Sequence, residues 1–345
     1  MFDFGDGAAL AALVGLLGGI ALGLAARLGR FCTLGAIEDA LYSSDTRRLR
    51  MWGLAIGTAV IATQAAISAG WLDAGETFYL SRQWSLPGTA LGGLLFGYGM
   101  ALSGNCGYGA LARLGGGDLR SLVIVVVMGL AAYVTLSGPL ALLRITVFPD
   151  TPATSPQALS QITGAPLLTG LVAGGALILI SLSGGGMARA GRHIFWGVVV
   201  GLAVTSGWVG TQMAATQSFG ATSIESHSFA RPLGETLLWL MAASAAAPGF
   251  AVGSVGGVLI GAFLGSLRKG HFRWEACEDP RELKRQILGA ALMGPGAVLA
   301  AGCSVGQGLS AFSLLSFSAP VALLSIFAGA AIGLRQLIVG FAPAE

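Results

Sequence analysis

Two cysteines, Cys106 and Cys303, stand in the same kind of local sequence in different parts of the chain. Each follows a long apolar run, has a glycine within three positions on either side, and precedes a short stretch of small and polar residues. Glycine permits a sharp break between two helices. A short helix that begins at the cysteine would turn its free N–H groups and positive dipole end towards the sulfur. The pattern predicts an anion site built largely from backbone.

A thiol at such a site would be a weak donor and a polarizable contact, which suits a sulfur-containing anion. Inert packing cysteines remain an alternative, although the same residue at matched positions of two segments favours a role. A metal site has little support, because the chain has no Cys-x-x-Cys motif and only three histidines. Covalent redox chemistry would need a resolving cysteine or an activating base, and neither stands near Cys106 or Cys303. We therefore predict no catalytic residue, no metal and no cofactor.

The predicted substrate path combines the two motifs with a third cysteine at the inner end of the first apolar run. Its residues are Cys32, Gly104, Asn105, Cys106, Gly107, Gly302, Cys303, Ser304 and Gly306. We expect Cys106 and Cys303 near the axis between two halves of the protein, and Cys32 closer to the cytoplasm. Arg113 could pair with Asp118 or attract anions at the inner face. The fourth cysteine, Cys277, is interpreted as incidental.

The elements that hold these residues must be membrane helices. The 345 residues are 54% hydrophobic and 10% charged, with a mean hydropathy of +0.77, whereas soluble proteins carry about 25% charged residues. A net charge of +3 gives no reason to expect a nucleic-acid partner. Nine apolar runs are long enough to cross about 30 Å of hydrocarbon, and a shorter run at 235–247 indicates an interfacial or re-entrant piece. The nine runs lie near 8–28, 50–70, 87–103, 120–143, 165–183, 194–213, 249–267, 286–302 and 318–341.

The distribution of Lys and Arg sets the expected orientation. With nine crossings and the N-terminus outside, fifteen basic residues fall in inside segments and three in outside segments. We therefore expect a multi-pass protein of the bacterial inner membrane whose N-terminus lies outside.

An internal repeat relates the two cysteine motifs. The run that ends at Cys106 aligns without gaps on the run that ends at Cys303, and three glycine pairs coincide, at 92 and 289, 97 and 294, and 99 and 296. A weaker pair, which needs a gap, joins the run 8–28 to the run 249–267. Internal repeats of this kind are typical of transporters.

The predicted fold is therefore an all-α polytopic membrane protein with about nine transmembrane helices, short re-entrant helices and two pseudo-symmetric, inverted repeats. The chain forms one integral-membrane domain, 1–345. Its halves are about 8–145 and 235–342, joined by two helices in 165–213. One conflict remains at this stage: the runs 8–28 and 249–267 cross in the same direction, which an inverted repeat forbids.

Three motifs resemble the YeeE/YedE family of sulfur-transport membrane proteins. They are Gly-Arg-Phe-Cys-x₃-Ala at 29–36, Gly-x-Gly-Met-x-Leu-x-Gly-x-Cys-x-x-Gly-x-Leu-x-Arg-x-Gly at 97–115, and Gly-x-Gly-x-x-Leu-x-x-Gly-Cys-x-x-Gly-x-Gly-Leu-Ser at 294–310. The resemblance covers nearly the whole chain. It implies thiosulfate import by an hourglass-like helical body in which Cys32, Cys106 and Cys303 line the path, and a small TusA-like sulfur-carrier protein as partner. Asn105 and Ser304 depart from the usual glycine and asparagine, and both positions bear on which anion is preferred.

The leading functional hypothesis is uptake of thiosulfate, or of a closely related sulfur-containing anion, through a cysteine-lined path. The chain contains no nucleotide-binding P-loop motif, and we do not expect an enzyme. The alternatives are a membrane thiol–disulfide oxidoreductase or sulfurtransferase, and a transporter of a selenium compound.

Overall fold

The computed structural model describes residues 7–149, 151–184, 186–244, 247–276 and 279–340, and all regular elements in these ranges are helical. Two π-helical turns, Ala25–Gly29 and Gly306–Ala311, interrupt the α-helical pattern. The α-helices are α1 (Gly7–Leu24), α2 (Thr33–Tyr42), α3 (Arg47–Ser68), α4 (Phe78–Ser81), α5 (Leu86–Ser103), α6 (Gly107–Leu114), α7 (Arg120–Leu136), α8 (Ala141–Val147), α9 (Leu159–Thr163), α10 (Pro166–Leu182), α11 (Gly191–Gln217), α12 (Arg231–Met241), α13 (Phe250–Lys269), α14 (Pro280–Leu299) and α15 (Ser318–Val339).

Several of these helices can cross a membrane. Five segments in the described ranges are long and apolar enough, and α7 with α8, bent by 56° at a short break, forms a sixth candidate. The helix α10 is apolar but shorter. The protein is therefore a multi-pass helical membrane protein, and the count of nine crossings stays a prediction. The five segments are Gly7–Tyr42, Arg47–Ser68, Gly191–Gln217, Phe250–Lys269 and Ser318–Ile338.

Glycines bring α1 and α13 into close parallel contact. A Cβ atom added to Gly15 would lie 2.4 Å from the carbonyl oxygen of Phe250, and one added to Gly23 would lie 2.4 Å from that of Val258. The contact on α13 moves towards its C-terminus as the glycine on α1 does, so the two helices run in the same direction. Only a side-chain-free face permits backbones to approach this closely.

The repeated glycines bring α5 and α14 into antiparallel contact. A Cβ on Gly92 would lie 2.7 Å from the carbonyl oxygen of Gly296, and one on Gly99 would lie 2.6 Å from that of Gly289. The four glycines at two matched positions of the sequence repeat thus pack against one another. The two helices that precede the cysteine motifs run in opposite directions, as an inverted repeat requires.

The pair α1 and α11 is also antiparallel, since Gly7 contacts Ala214 at one end and Gly29 contacts Trp196 at the other. These directions are the ones that the nine-crossing path requires. An inversion cannot exchange α1 with α13, because the two run in parallel. The weaker sequence alignment between them therefore reflects a shared glycine spacing for close packing. The division into halves and the inverted sense of the whole repeat stay predictions.

Two neighbouring glycines of α13 provide a matched test of this packing. We expect Gly257→Ala to lower the free energy of unfolding by about 1–3 kcal/mol, because its Cβ would lie 2.3 Å from the carbonyl oxygen of Leu16, which cannot rotate away. Gly256→Ala should be nearly neutral, since nothing lies within 4 Å of its Cβ position. Thermal unfolding of both variants in detergent measures the difference. Equal melting temperatures would contradict the close α1–α13 contact.

Candidate functional site

Each of the three described cysteines stands immediately before a helix and caps it. Cys32 precedes α2, Cys106 precedes α6, and Cys303 precedes a helical segment at 304–313 whose centre is π-helical. The short helices predicted after Cys106 and Cys303 are confirmed. The helix cap at Cys32 was not predicted from the sequence. In each case the sulfur accepts a hydrogen bond from a backbone N–H in the first helical turn. The N···Sγ distances are 3.5 Å from Gly35 to Cys32, 3.5 Å from Gly109 to Cys106 and 3.4 Å from Gly306 to Cys303.

The backbone before Cys106 and Cys303 makes the same left-handed turn. Gly104 ends α5 with φ of 75°. The matched residue of the repeat, Ala301, has φ of 57°. Glycine adopts this region freely, whereas alanine does so at a cost. The turn is therefore set by the repeated backbone path rather than by the residue at its centre.

The two cysteine motifs meet at Phe229. Its N–H donates to the Cys303 sulfur over 3.3 Å. A Cβ added to Gly107, the first residue after Cys106, would lie 2.6 Å from the Phe229 carbonyl oxygen. One residue of the segment between α11 and α12 thus contacts the starts of both short helices.

The start of α2 contacts the start of the 304–313 segment. The hydroxyl of Thr33 donates to that of Ser304 over 3.0 Å, joining the residues that follow Cys32 and Cys303. The Cys106 thiol is close enough to Cys32 and Cys303 to interact with both electrostatically. Three helix N-termini therefore converge around the three thiols.

Most residues of the predicted path are buried at this convergence. Exposure is 1% for Cys106, Cys303 and Asn105, and 2% for Ser304. The glycines at 107, 302 and 306 are also buried, whereas Cys32 and Gly104 are half-buried. All three described cysteines are free thiols. The side-chain oxygen of Asn105 is buried and has no hydrogen-bond partner in the described part of the chain.

A run of aromatic rings supports the helix starts. Trp52 stacks on Phe31 at 4.6 Å between ring centroids, Phe31 contacts Tyr108 at 6.4 Å, and Tyr108 contacts Phe229 at 5.3 Å. The Tyr108 hydroxyl is anchored on the Leu22 carbonyl oxygen at 2.6 Å. Because Phe31 precedes Cys32 and Tyr108 follows Gly107 in the sequence, these rings fix where two of the thiols lie.

A cavity of about 580 Å³ opens beside Cys303, and we call it the Cys303 cavity. Its lining includes Ser228, whose hydroxyl lies 3.7 Å from the Cys303 sulfur, and Gly302. It also includes Tyr79. A Cβ on Gly306 would lie 2.7 Å from the Ser228 hydroxyl oxygen and 3.1 Å from that of Tyr79. Two hydroxyl groups and a thiol therefore meet at the N-terminus of the 304–313 segment.

The charged residues of the Cys303 cavity have both signs. Arg231 donates to Glu235 over 2.6 Å. Glu225 lies in the segment between α11 and α12, and burial raises the pKa of its carboxyl to about 7, against a smaller opposing effect of Arg231. Arg82 and Arg144 also line the cavity.

On the other side of Cys106, Arg113 contacts the motif directly. Its guanidinium donates to the Gly104 carbonyl oxygen over 3.3 Å, and Arg27 donates to the Arg113 carbonyl oxygen over 3.2 Å. The side chain of Asp118 is instead bonded to Arg120 at 3.1 Å. The pairing of Arg113 with Asp118 that the sequence suggested is therefore wrong, because the neighbouring Arg120 is the bonded partner of Asp118.

Sequence reasoning missed several residues of this site. They are Thr33, Tyr79, Ser228 and Phe229 at the thiols, and Glu225 in the cavity. A signal existed for Phe229: Phe31-Cys32 before α2 and Phe229-Ala230 before α12 are similar, and each is followed within four residues by Leu-Gly. The second copy lacks the cysteine, which hid the correspondence.

Similarity to known proteins extends over most of the chain. A family model described as Sulphur transport matches residues 28–332. A relative named thiosulfate transporter TsuA from Escherichia coli (strain K12) is 26% identical over 347 residues, covering 92% of each chain. A protein of the same name from Spirochaeta thermophila is 24% identical over 336 residues, covering 91% of this chain and 96% of the relative.

The repeated turn gives a reciprocal pair of variants. Gly104→Ala should lower the free energy of unfolding by about 1 kcal/mol, because alanine is strained at positive φ. Ala301→Gly should be neutral or slightly stabilising, since the relief of strain is partly offset by the added freedom of glycine in the unfolded chain. Chemical or thermal unfolding of both variants in detergent is the measurement. A loss of stability in Ala301→Gly as large as that in Gly104→Ala would show that the two turns differ.

Proposed function

Since the chain belongs to the Sulphur transport family, we propose that it takes up thiosulfate, or a closely related sulfur-containing anion, across the bacterial inner membrane through a cysteine-lined path. Sulfur transport and a multi-pass membrane body follow from the family and the apolar helices. Two relatives named for thiosulfate transport support the choice of anion. The observation that carries the proposal is the convergence of three thiol-capped helix starts on Phe229 and Ser304.

The proposed path begins in the Cys303 cavity. The anion first meets the thiol of Cys303 and the hydroxyls of Tyr79 and Ser228. It then passes Phe229 towards Cys106 and Cys32, and leaves near Gly104 and Arg113. Each helix N-terminus presents about half a positive charge. Backbone dipoles of this strength would bind a dianion weakly enough for it to dissociate again. Conduction requires such weak binding, because an anion that binds too tightly does not leave.

An inverted two-fold arrangement is part of the proposal. Contacts favour a two-fold that exchanges α1 with α11 and α5 with α14, since both pairs are antiparallel. The same operation would exchange α2 with α12 and α3 with α13. With the N-terminus outside, as the distribution of Lys and Arg predicts, the Cys303 cavity would face the periplasm. A TusA-like sulfur-carrier protein is the proposed partner on the cytoplasmic side.

Replacement of the thiols tests the path. Cys106→Ala and Cys303→Ala should each reduce uptake of ³⁵S-thiosulfate, because a lost contact of about 1 kcal/mol corresponds to roughly fivefold in affinity. Serine should restore part of the loss, since it returns a donor but not a polarizable sulfur. Growth on thiosulfate as sole sulfur source, in cells without their own importers, gives a second readout.

Cys277→Ala is the matched control, because Cys277 is outside the predicted path; it also lies outside the described residues. Membrane insertion of every variant is checked by immunoblotting of membrane fractions. Wild-type uptake in both Cys106→Ala and Cys303→Ala would remove the thiols from the transport path.

Transport should need no covalent sulfur chemistry. The three described thiols are free, and each accepts a backbone hydrogen bond at a helix start. We expect uptake into proteoliposomes to persist when the protein has been reduced beforehand and freed of the reductant, with no sulfur added to its cysteines by mass spectrometry. An obligatory persulfide on Cys303 would instead establish the sulfurtransferase alternative.

A further inference from the structure

The Cys303 cavity contains a carboxyl group that the proposed path does not use. Glu225 is held in place by its backbone: its N–H donates to the Thr211 hydroxyl over 3.1 Å, and that hydroxyl donates to the Glu225 carbonyl oxygen over 2.8 Å. The side chain lines the cavity together with Ser228 and Tyr79. An acidic group is therefore fixed at the entrance of a site for anions.

The nearby arginine does not hold Glu225 in its charged form. Arg231 is bonded to Glu235, one helical turn further along α12, at 2.6 Å. In the part of the chain that the structure describes, the Glu225 carboxylate accepts one side-chain hydrogen bond, from the Ser223 hydroxyl over 3.5 Å. A carboxylate that is buried in a cavity wall with so little compensation is stabilised by taking up a proton.

The surroundings of Glu225 connect it to the thiol site. Tyr79 lines the same cavity as Glu225, and its hydroxyl lies at the start of the 304–313 segment, 3.1 Å from the position of a Cβ on Gly306. The titratable and charged groups that line the cavity with Glu225 come from several elements of the fold. They are Tyr79 from α4, Tyr133 from α7, Arg231 and Glu235 from α12, and Arg82 and Arg144.

A dianion in this cavity and an ionised Glu225 would repel each other. We propose that Glu225 takes up one proton from the solution at the cavity mouth when the anion enters, so that substrate binding is coupled to proton binding. The carboxylate becomes a neutral carboxylic acid, and no bond of the anion breaks. The dianion and the proton together add a net charge of minus one to the cavity, instead of the minus two that the dianion alone would add. The inference rests on the proposed function, because it concerns the same anion site.

The sign of the pH dependence follows from the direction of the pKa shift. Burial raises the pKa of Glu225 to about 7. Below this pH the carboxyl is already neutral, and the affinity for the anion should be constant. Above this pH, each anion that binds requires one proton from the solution. Because the proton concentration falls tenfold per pH unit, the affinity for the anion should fall tenfold per pH unit. Between pH 6 and pH 8 the dissociation constant for thiosulfate should rise about tenfold.

The test measures thiosulfate binding to the purified full chain in lipid nanodiscs at pH 6 and pH 8. Glu225→Gln carries a permanently neutral amide, and we expect its affinity at pH 8 to equal that at pH 6. Glu76→Gln, which changes an exposed acid outside the cavity lining, should keep the tenfold difference of the wild type. Retention of the pH dependence in Glu225→Gln, or its absence in the wild type, would overturn the coupling.

Proton uptake can also be measured without any variant. Mixing thiosulfate with the wild-type protein in weakly buffered solution at pH 7.5 should make the medium more alkaline, as a pH indicator reports. Binding without this alkalinisation overturns the inference and leaves the proposed function intact. No thiosulfate binding at either pH overturns the proposed function, and with it the coupling.

Discussion

A divalent anion can enter a membrane interior only where polar groups replace its water, because an uncompensated charge in a low-dielectric medium is very costly. In the proposed path, the N-termini of three helices, which begin at Cys32, Cys106 and Cys303, meet that requirement. Helix starts inside a membrane are possible only if the helices before them stop at the same depth. The broken helices, the left-handed turns at Gly104 and Ala301 and the short segments that follow all depend on this requirement.

Glycine packing makes the broken helices tolerable. Where a helix stops inside the membrane, neighbouring helices must cover its exposed backbone, and they must come close to do so. The contacts of α5 with α14 and of α1 with α13 place backbone against backbone at Gly99 and Gly289, and at Gly23 and Val258. The same chemistry continues at the site, where Gly107 admits the Phe229 carbonyl group. The glycine content of the chain therefore supports both the helix packing and the contact between the two cysteine motifs.

The Cys303 cavity adds a second level of electrostatic control. Fixed arginines in a transport path would hold a dianion tightly and slow its release. Here Arg231 is bonded to Glu235, which reduces its net attraction, and Glu225 offers a charge that can be removed by a proton. Burial in the cavity that Tyr79 also lines raises the pKa of Glu225. In the proposed path, helix dipoles contribute to the attraction of the anion, and one carboxyl group makes binding depend on pH.

The sequence by itself determined the membrane class, the repeated cysteine motifs and the family, because hydropathy, glycine spacing and short motifs are local properties of the chain. It also predicted the short helices after Cys106 and Cys303, since glycine-flanked breaks have a local cause. Tertiary structure decided which elements meet. The parallel contact of α1 with α13, the place of Phe229 at the starts of two short helices, and the pairing of Asp118 with Arg120 depend on contacts between segments far apart or on side-chain geometry. Glycine spacing cannot distinguish a symmetry partner from a packed neighbour, because both need the same bare helix face.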